Sequence, residues 1–245
     1  MAAELVESIG TRMSNWYVRS GLLRAARDYA RHGWPVVPGS WWSPAAGRHV
    51  CDIPGCFSGG LHPGALDTGP VSPLSPPVNL RDFALTSEID IGSRWREHPY
   101  TILMPTGITC DVMELAASTA EAIWPSSGIA SLHSPVATLS TVVDSPSRPQ
   151  RTESVVFIFT QTGESISSDT LDELTRHRVV LHREGSWIPL PPSTVSGRTT
   201  RWLNAPRQCS WQTPPLAQLS QHILRRLVQL RSRSLPPEQA TDWAA

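Results

Sequence analysis

The chain has 245 residues, 40% of them hydrophobic, enough to bury a full core and to rule out wholesale disorder. Its formal net charge is zero and it contains no lysine, so all 21 basic residues are arginine. No global field therefore drives nucleic-acid binding, and any such surface must be local.

Met1 to Ile9 carries two glutamates and no apolar run, so no cleavable signal is read there. No stretch reaches the roughly 20 apolar residues that cross a bilayer. The expectation is a soluble, cytoplasmic protein without a membrane partner. Four cysteines, two of them close together, then favour metal binding or free thiols over disulfides.

In chain order, Leu22, Leu23, Ala26, Tyr29 and Ala30 form an apolar stripe that predicts a helix over 21–32, closed by Gly33. Trp34 to Pro38 reads as extended. Residues 39–80 form a long irregular insertion whose proline-rich second half, 67–79, is loop. A short helix is expected within 82–95, a strand at 100–105 turning at Thr106-Gly107, a second apolar stretch at 110–115 and a short helix at 116–124. A loop at 140–152 precedes a buried strand at 155–160. Leu171 to Arg176 suggests a helix, and 178–182, 186–190 and 199–203 read as strands. Leu216 to Leu230 is a strong amphipathic helix with Arg225, Arg226, Arg231 and Arg233 towards its end. Favourable dipole chemistry accounts for those arginines, and a phosphate contact is the less ordinary reading.

The insertion holds the richest cluster. His49, Cys51, Cys56 and His62 lie in a loop with glycines at 55, 59 and 60, which lets a short chain fold back on an ion. Thiolate and imidazole ligands suit a closed, structural zinc site at 49–63. Carboxylates are sparser. Asp111 and Glu114 are the central pair, but a spacing of three on a strand puts them on opposite faces. Met113 stands where a second metal-holding carboxylate belongs. Thr106 and Gly107 could let backbone approach a phosphate. Arg178, Arg183 and Arg198 surround the Pro191-Pro192-Ser193 segment as a possible phosphate-facing rim.

The order of these motifs resembles the N-terminal domain of the bifunctional DNA primase/polymerases, a branch of the archaeo-eukaryotic primase superfamily. Ala25 to Pro38 resembles the family's opening helix, glycine and strand. His49 to Pro63 is similar to its cysteine-bearing insertion, with Gly60-Leu61-His62-Pro63 in place of a Gly-Lys-His-Pro-like turn. Tyr100 to Leu115 resembles the strand, Thr-Gly turn and acidic strand of the catalytic core. Trp187 to Ser193, with Ser196-Gly197 and Trp202, resembles its late strand, Pro-Pro-Ser and Ser-Gly segments.

The resemblance implies an α+β fold: an RRM-like core sheet, flanking helices and a loop-rich Cys/His insertion. The expected organisation is an N-terminal extension at 1–20, the primase/polymerase-like domain at 21–210, and a C-terminal helix and tail at 211–245. It also implies nucleotide polymerisation on a DNA template, with Mg²⁺ or Mn²⁺ held by acids. Asp111 matches the first acid of that pair and Met113 replaces the second. No carboxylate occurs in Arg178 to His182, where a later acid belongs, and the family's mid-chain histidine motif is missing around Phe157 to Thr162. The reading is a degenerate primase/polymerase-like protein of DNA replication that binds single-stranded DNA or nucleotide, with Thr106, Gly107, Arg178, Arg183, Ser193 and Arg198 as contacts. Zinc is its structural cofactor, and Mg²⁺ or Mn²⁺ enters only if activity survives. No helicase motor is expected after the Leu216 helix, which points to a small accessory protein. Two alternatives stand: an active polymerase using Asp111, Glu114 and Asp172, and a regulatory module that binds a protein partner through its tryptophan-rich loops.

Overall fold

A computed structural model describes residues 2–53, 56, 58, 60–64, 79–125, 132–140 and 154–234, with side chains among these from residue 16 to 230. The expected loops at 67–78 and 141–152 and the tail after residue 234 lie outside the described residues.

Helix α1 runs from Ala2 to Arg31, so it passes without a break through the boundary expected at residues 20–21. It ends where Gly33 adopts a left-handed φ of +78°. There Trp34 N–H reaches back to Tyr29 O and Gly33 N–H to Ala30 O, satisfying carbonyls the helix leaves open. Strand β1 (Val37–Gly39) follows, then a hairpin of β2 (Trp41–Ser43) and β3 (Arg48–Val50) inside the insertion expected to be irregular. After a 3₁₀ turn at Leu80–Phe83 comes α2 (Glu88–Glu97), capped by the Ser87 hydroxyl, which accepts from Asp90 N–H.

The centre of the chain supplies β4 (Thr101–Pro105), β5 (Cys110–Ala116), α3 (Ala117–Ile123), β6 (Val136–Ser140), β7 (Val155–Gln161), α4 (Ser168–Arg176) and β8 (Val180–His182). The last part supplies β9 (Trp187–Pro189), β10 (Thr194–Val195), β11 (Arg198–Asn204), a 3₁₀ turn at Pro206–Cys209 and α5 (Leu216–Ser234). Strand β6 has no counterpart in the sequence reading. Thr138 and Ser140 interrupt its apolar run, and its five residues offer too short a pattern to separate from loop.

Besides the β2–β3 hairpin, two antiparallel sheets form among the described residues. One has three strands in the order β1-β4-β9, and the other six in the order β10-β11-β6-β7-β5-β8. Within the larger sheet, β5-α3-β6-β7-α4-β8 is a βαββαβ unit whose fourth, first, third and second strands lie side by side. This is the RRM-like core that the motif order implied.

Strand alternation divides the core in two. Cys110, Val112, Phe157 and Phe159 face α1, α2 and the three-stranded sheet. Met113, Leu115, Val156 and Ile158 face α3, α4 and α5, where Leu174, Leu219 and Ile223 meet them. The first layer centres on Trp34, 1% exposed. Its ring stacks on Phe159 at 5.0 Å and meets Trp211 edge-on at 5.3 Å. Tyr29 lies beside it, donating to Pro191 O and accepting from Trp202 Nε1. Burial drives the Tyr29 phenol well above the usual tyrosine range, so it stays a donor throughout.

These contacts join α1, β7, β11 and the turn after it around one ring. Replacing that ring leaves a cavity that four separate elements would have to collapse to fill. Trp34→Ala should therefore cost about 3–5 kcal/mol of unfolding free energy, read from denaturant midpoints at constant slope.

Candidate functional site

The Cys/His loop is built onto β1 by backbone contacts. Ser40 N–H donates to His62 O at 2.7 Å, Gly64 N–H to Pro38 O at 2.9 Å, and Asp52 N–H to Gly64 O at 3.2 Å. Gly64 has to be glycine here, because a Cβ would lie 2.4 Å from Ser40 N. Asp52 fixes the outer side of the loop: it accepts from the Tyr100 hydroxyl and lies 3.3 Å from His98 Nε2. His98 in turn stacks flat on Trp41 at 4.4 Å. Trp41 thus packs over the loop.

Cys51, Cys56 and His62 come together, each offering one donor atom, with all three atoms within 4.8 Å of one another. Cys56 Sγ and His62 Nε2 are 3.4 Å apart. Zinc–sulfur bonds of about 2.3 Å in a tetrahedron put neighbouring sulfurs about 3.8 Å apart, so the cluster closes on zinc with small movements. His62 Nδ1 donates to Gly60 O at 2.7 Å, which leaves Nε2 as the lone-pair donor towards the cysteines. Burial pushes the Cys51 thiol above its ordinary value, with the nearby Cys56 thiol adding to the shift. A cation would reverse that by drawing out the thiolate. The donor set therefore fits a structural zinc.

His49, expected as the fourth ligand, is not in this cluster. It is 1% exposed, and Nε2 accepts from Ser196 N–H at 3.0 Å. Nδ1 lies 3.4 Å from both Ser40 O and Ser40 Oγ. Burial holds its pKa below the ordinary histidine value, in keeping with a neutral ring that donates at one nitrogen and accepts at the other. His49 is a post between the loop and the β10–β11 hairpin. That hairpin turns through Ser196 and Gly197, both at positive φ. The site so formed has three protein ligands among the described residues, not the closed four expected.

Asp111 and Glu114 lie on opposite faces of β5, as their spacing required. Asp111, 1% exposed, accepts from Thr162 Oγ1 at 3.1 Å and from Arg183 Nε at 3.2 Å. Glu114 accepts from His182 Nε2 at 2.8 Å, and His182 Nδ1 lies 2.9 Å from Ser186 Oγ. This pair was not legible beforehand, because only the β5–β8 register, with Val112 opposite His182, brings it together. Asp172 is exposed on α4. Among the described residues Asp111, Glu114 and Asp172 form no common cluster within metal reach.

The expected phosphate contacts are largely consumed internally. Thr106 is buried, donates through Oγ1 to Arg183 O and through its N–H to Ser186 O. Gly107 N–H donates to Cys110 O, and its φ of +80° brings it against the 183–186 turn, where a Cβ would lie 2.4 Å from Glu184 N. Ser193 is fully buried: its Oγ accepts from Ile102 N–H and its carbonyl accepts from Thr200. These three residues lock β4, β9 and the Thr-Gly turn together. Arg183 holds Asp111 and also donates to Glu164 O. Arg178 is exposed, with a left-handed φ of +57° just past α4, and Arg198 is half-buried at the start of β11.

The zinc assignment separates ligand from post. Purified wild-type protein should carry about one equivalent of zinc by elemental analysis, and Cys56→Ser should lose most of it. His49→Gln should keep the metal while lowering the melting temperature, because its role is to join two segments.

The profile of the bifunctional DNA primase/polymerase N-terminal domain matches residues 26–221. No curated protein and no solved structure matches the chain. The matched segment begins inside α1, takes in both sheets and the Cys/His loop, and ends early in α5. By that match, which covers most of its length, the chain belongs to the bifunctional DNA primase/polymerase N-terminal domain family.

Proposed function

We propose that this chain is a degenerate primase/polymerase domain that binds single-stranded DNA or nucleotide and polymerises little or not at all. One observation carries the reading: its two central carboxylates sit on opposite faces of β5, each already held by a basic partner. Two-metal phosphoryl transfer needs carboxylates converging on ions about 3.5–4 Å apart. Here Arg183 compensates Asp111 and His182 pairs with Glu114. Met113, at the position between them, is fully buried and apolar. The zinc loop belongs to this reading as support for the fold, and the setting is cytoplasmic DNA replication. Among the described residues, no helix is long and apolar enough to cross a membrane.

With a primed template, deoxynucleotides and Mg²⁺ or Mn²⁺, the protein should incorporate no label above a no-enzyme control. Labelled single-stranded DNA should bind with an affinity that falls steeply with salt. Template-dependent extension abolished by Glu114→Gln would reverse the reading. Asp111→Asn separates structure from chemistry. Removing the charge that Arg183 and Thr162 hold should loosen the contact between β5 and its neighbouring turns, visible as a lower melting temperature.

A protein-binding role draws support from one feature. Trp16 is 56% and Tyr17 62% exposed on α1, and Trp16 lines a cavity of about 680 Å³ together with Arg19, Trp41 and Trp42. Large exposed aromatics are common at interface centres. A Trp16→Ala/Tyr17→Ala variant that left DNA binding intact and lost a co-purifying protein would favour that role.

A further inference from the structure

A second basic surface lies on the far side of the sheet from Glu114 and His182. A cavity of about 560 Å³ opens between the end of α3, the segment leading into α5 and the first turns of α5. Trp124, His133, Gln218, His222, Arg225 and Arg226 line it, and no carboxylate is among its lining residues. Its size is that of a small-molecule site. Trp124 and His222 present parallel rings, 5.8 Å between centroids and 4° between planes. His222 Nε2 is buried and has no hydrogen-bond partner among the described residues. Arg225 and Arg226 are exposed neighbours on α5, and their guanidinium groups suit phosphate oxygens.

We infer that this cavity binds a nucleoside polyphosphate, its base against Trp124 and His222 and its phosphates on Arg225 and Arg226. The choice of ligand rests on the nucleotide-binding half of the proposed function; the location is independent of it. A base needs a flat wall, which the half-buried His222 ring supplies, backed by the buried Trp124 ring on which it stacks. A polyphosphate needs adjacent cations and no competing carboxylate, and the lining meets both conditions. In the phosphate rim drawn from the Thr-Gly and Pro-Pro-Ser segments, by contrast, Thr106 and Arg183 are spent on the protein itself and the Asp111 carboxylate competes for Arg183.

The wall of the cavity is also wired to the centre of the sheet. Pro214 O accepts from Gln161 N–H at the end of β7. Ala217 N–H, in the first turn of α5, donates to Glu164 Oε2, and Glu164 O accepts from Arg183, the partner of Asp111. Occupancy of the cavity would therefore load the same segment that seats Asp111.

The test is calorimetric titration of the full chain with ATP, with adenosine and with inorganic pyrophosphate. The variants are wild type and the Arg225→Ala/Arg226→Ala double variant, whose positions are exposed and whose folding is checked by thermal melting. ATP should bind wild type, quench tryptophan fluorescence, and bind the double variant at least about tenfold more weakly. Adenosine should bind more weakly than ATP. Equal ATP affinity in the two proteins overturns the site, and so does failure of wild type to bind ATP at millimolar concentration. Pyrophosphate binding as tightly as ATP overturns the nucleoside assignment. Single-stranded DNA binding is measured alongside: its retention when the ATP arm fails sinks only this inference, whereas its absence with the ATP arm intact sinks only the DNA-binding reading.

Discussion

The two-residue period of β5 governs what this domain can do. Its partners on both sides, β7 and β8, hold it in register along the strand, so no bulge lets a side chain change face. Asp111 must then share a face with Met113 and Leu115, under the helices, and Glu114 must share one with Cys110 and Val112. A buried carboxylate cannot remain charged alone. Asp111 accordingly has Arg183 and Thr162, and those contacts draw in the 162–164 turn and the loop after β8. In this chain β5 is thus organised around an ion pair.

The same economy explains the Thr-Gly and Pro-Pro-Ser segments. Backbone donors that could meet a phosphate are satisfied instead by carbonyls of neighbouring turns, and a buried donor so satisfied gains nothing from a ligand. Thr106 and Ser193 pin β4 to β9 and to the 183–186 turn, which keeps the small sheet seated on the larger one. Cys110 fits this picture as well: burial, with Asp111 beside it, pushes its thiol up to about 12, so it packs as a small apolar group and not as a nucleophile.

Much of the architecture was legible because it rests on local signals. Gly33 after an apolar stripe and the apolar run of β7 each fix their element within a few residues. The opposite faces of Asp111 and Glu114 also followed from spacing alone. What stayed hidden depends on long-range register. The Glu114–His182 pair joins residues 68 apart in sequence, and the His49–Ser196 contact residues 147 apart. His49 shows the limit most clearly. Its composition and spacing are those of a ligand, and only the position of the β10–β11 hairpin turns its ring away from the cysteines. The hairpin β2–β3 escaped for a different reason, since its three-residue strands carry no alternation long enough to read.

With no lysine and zero net charge, this chain has to place its arginines with care, because each one spent internally is lost to a ligand. Arg31 is committed to Glu88, Arg183 to Asp111 and Arg207 to Asp28, and each of these pairs joins separate elements. Arg225 and Arg226 differ in kind: their hydrogen bonds run within α5, to Gln221 O and to Gln229. Contacts of that sort, to a carbonyl and an amide, leave the positive charge of the helix uncompensated where it faces the cavity. Arg225 and Arg226 thus face a cavity on the helical side of the sheet, while Arg183 and His182, beside β5, are each paired with a carboxylate. With Asp111 and Glu114 each held by a basic partner, that contrast makes α5 and not β5 the more receptive surface for an anion.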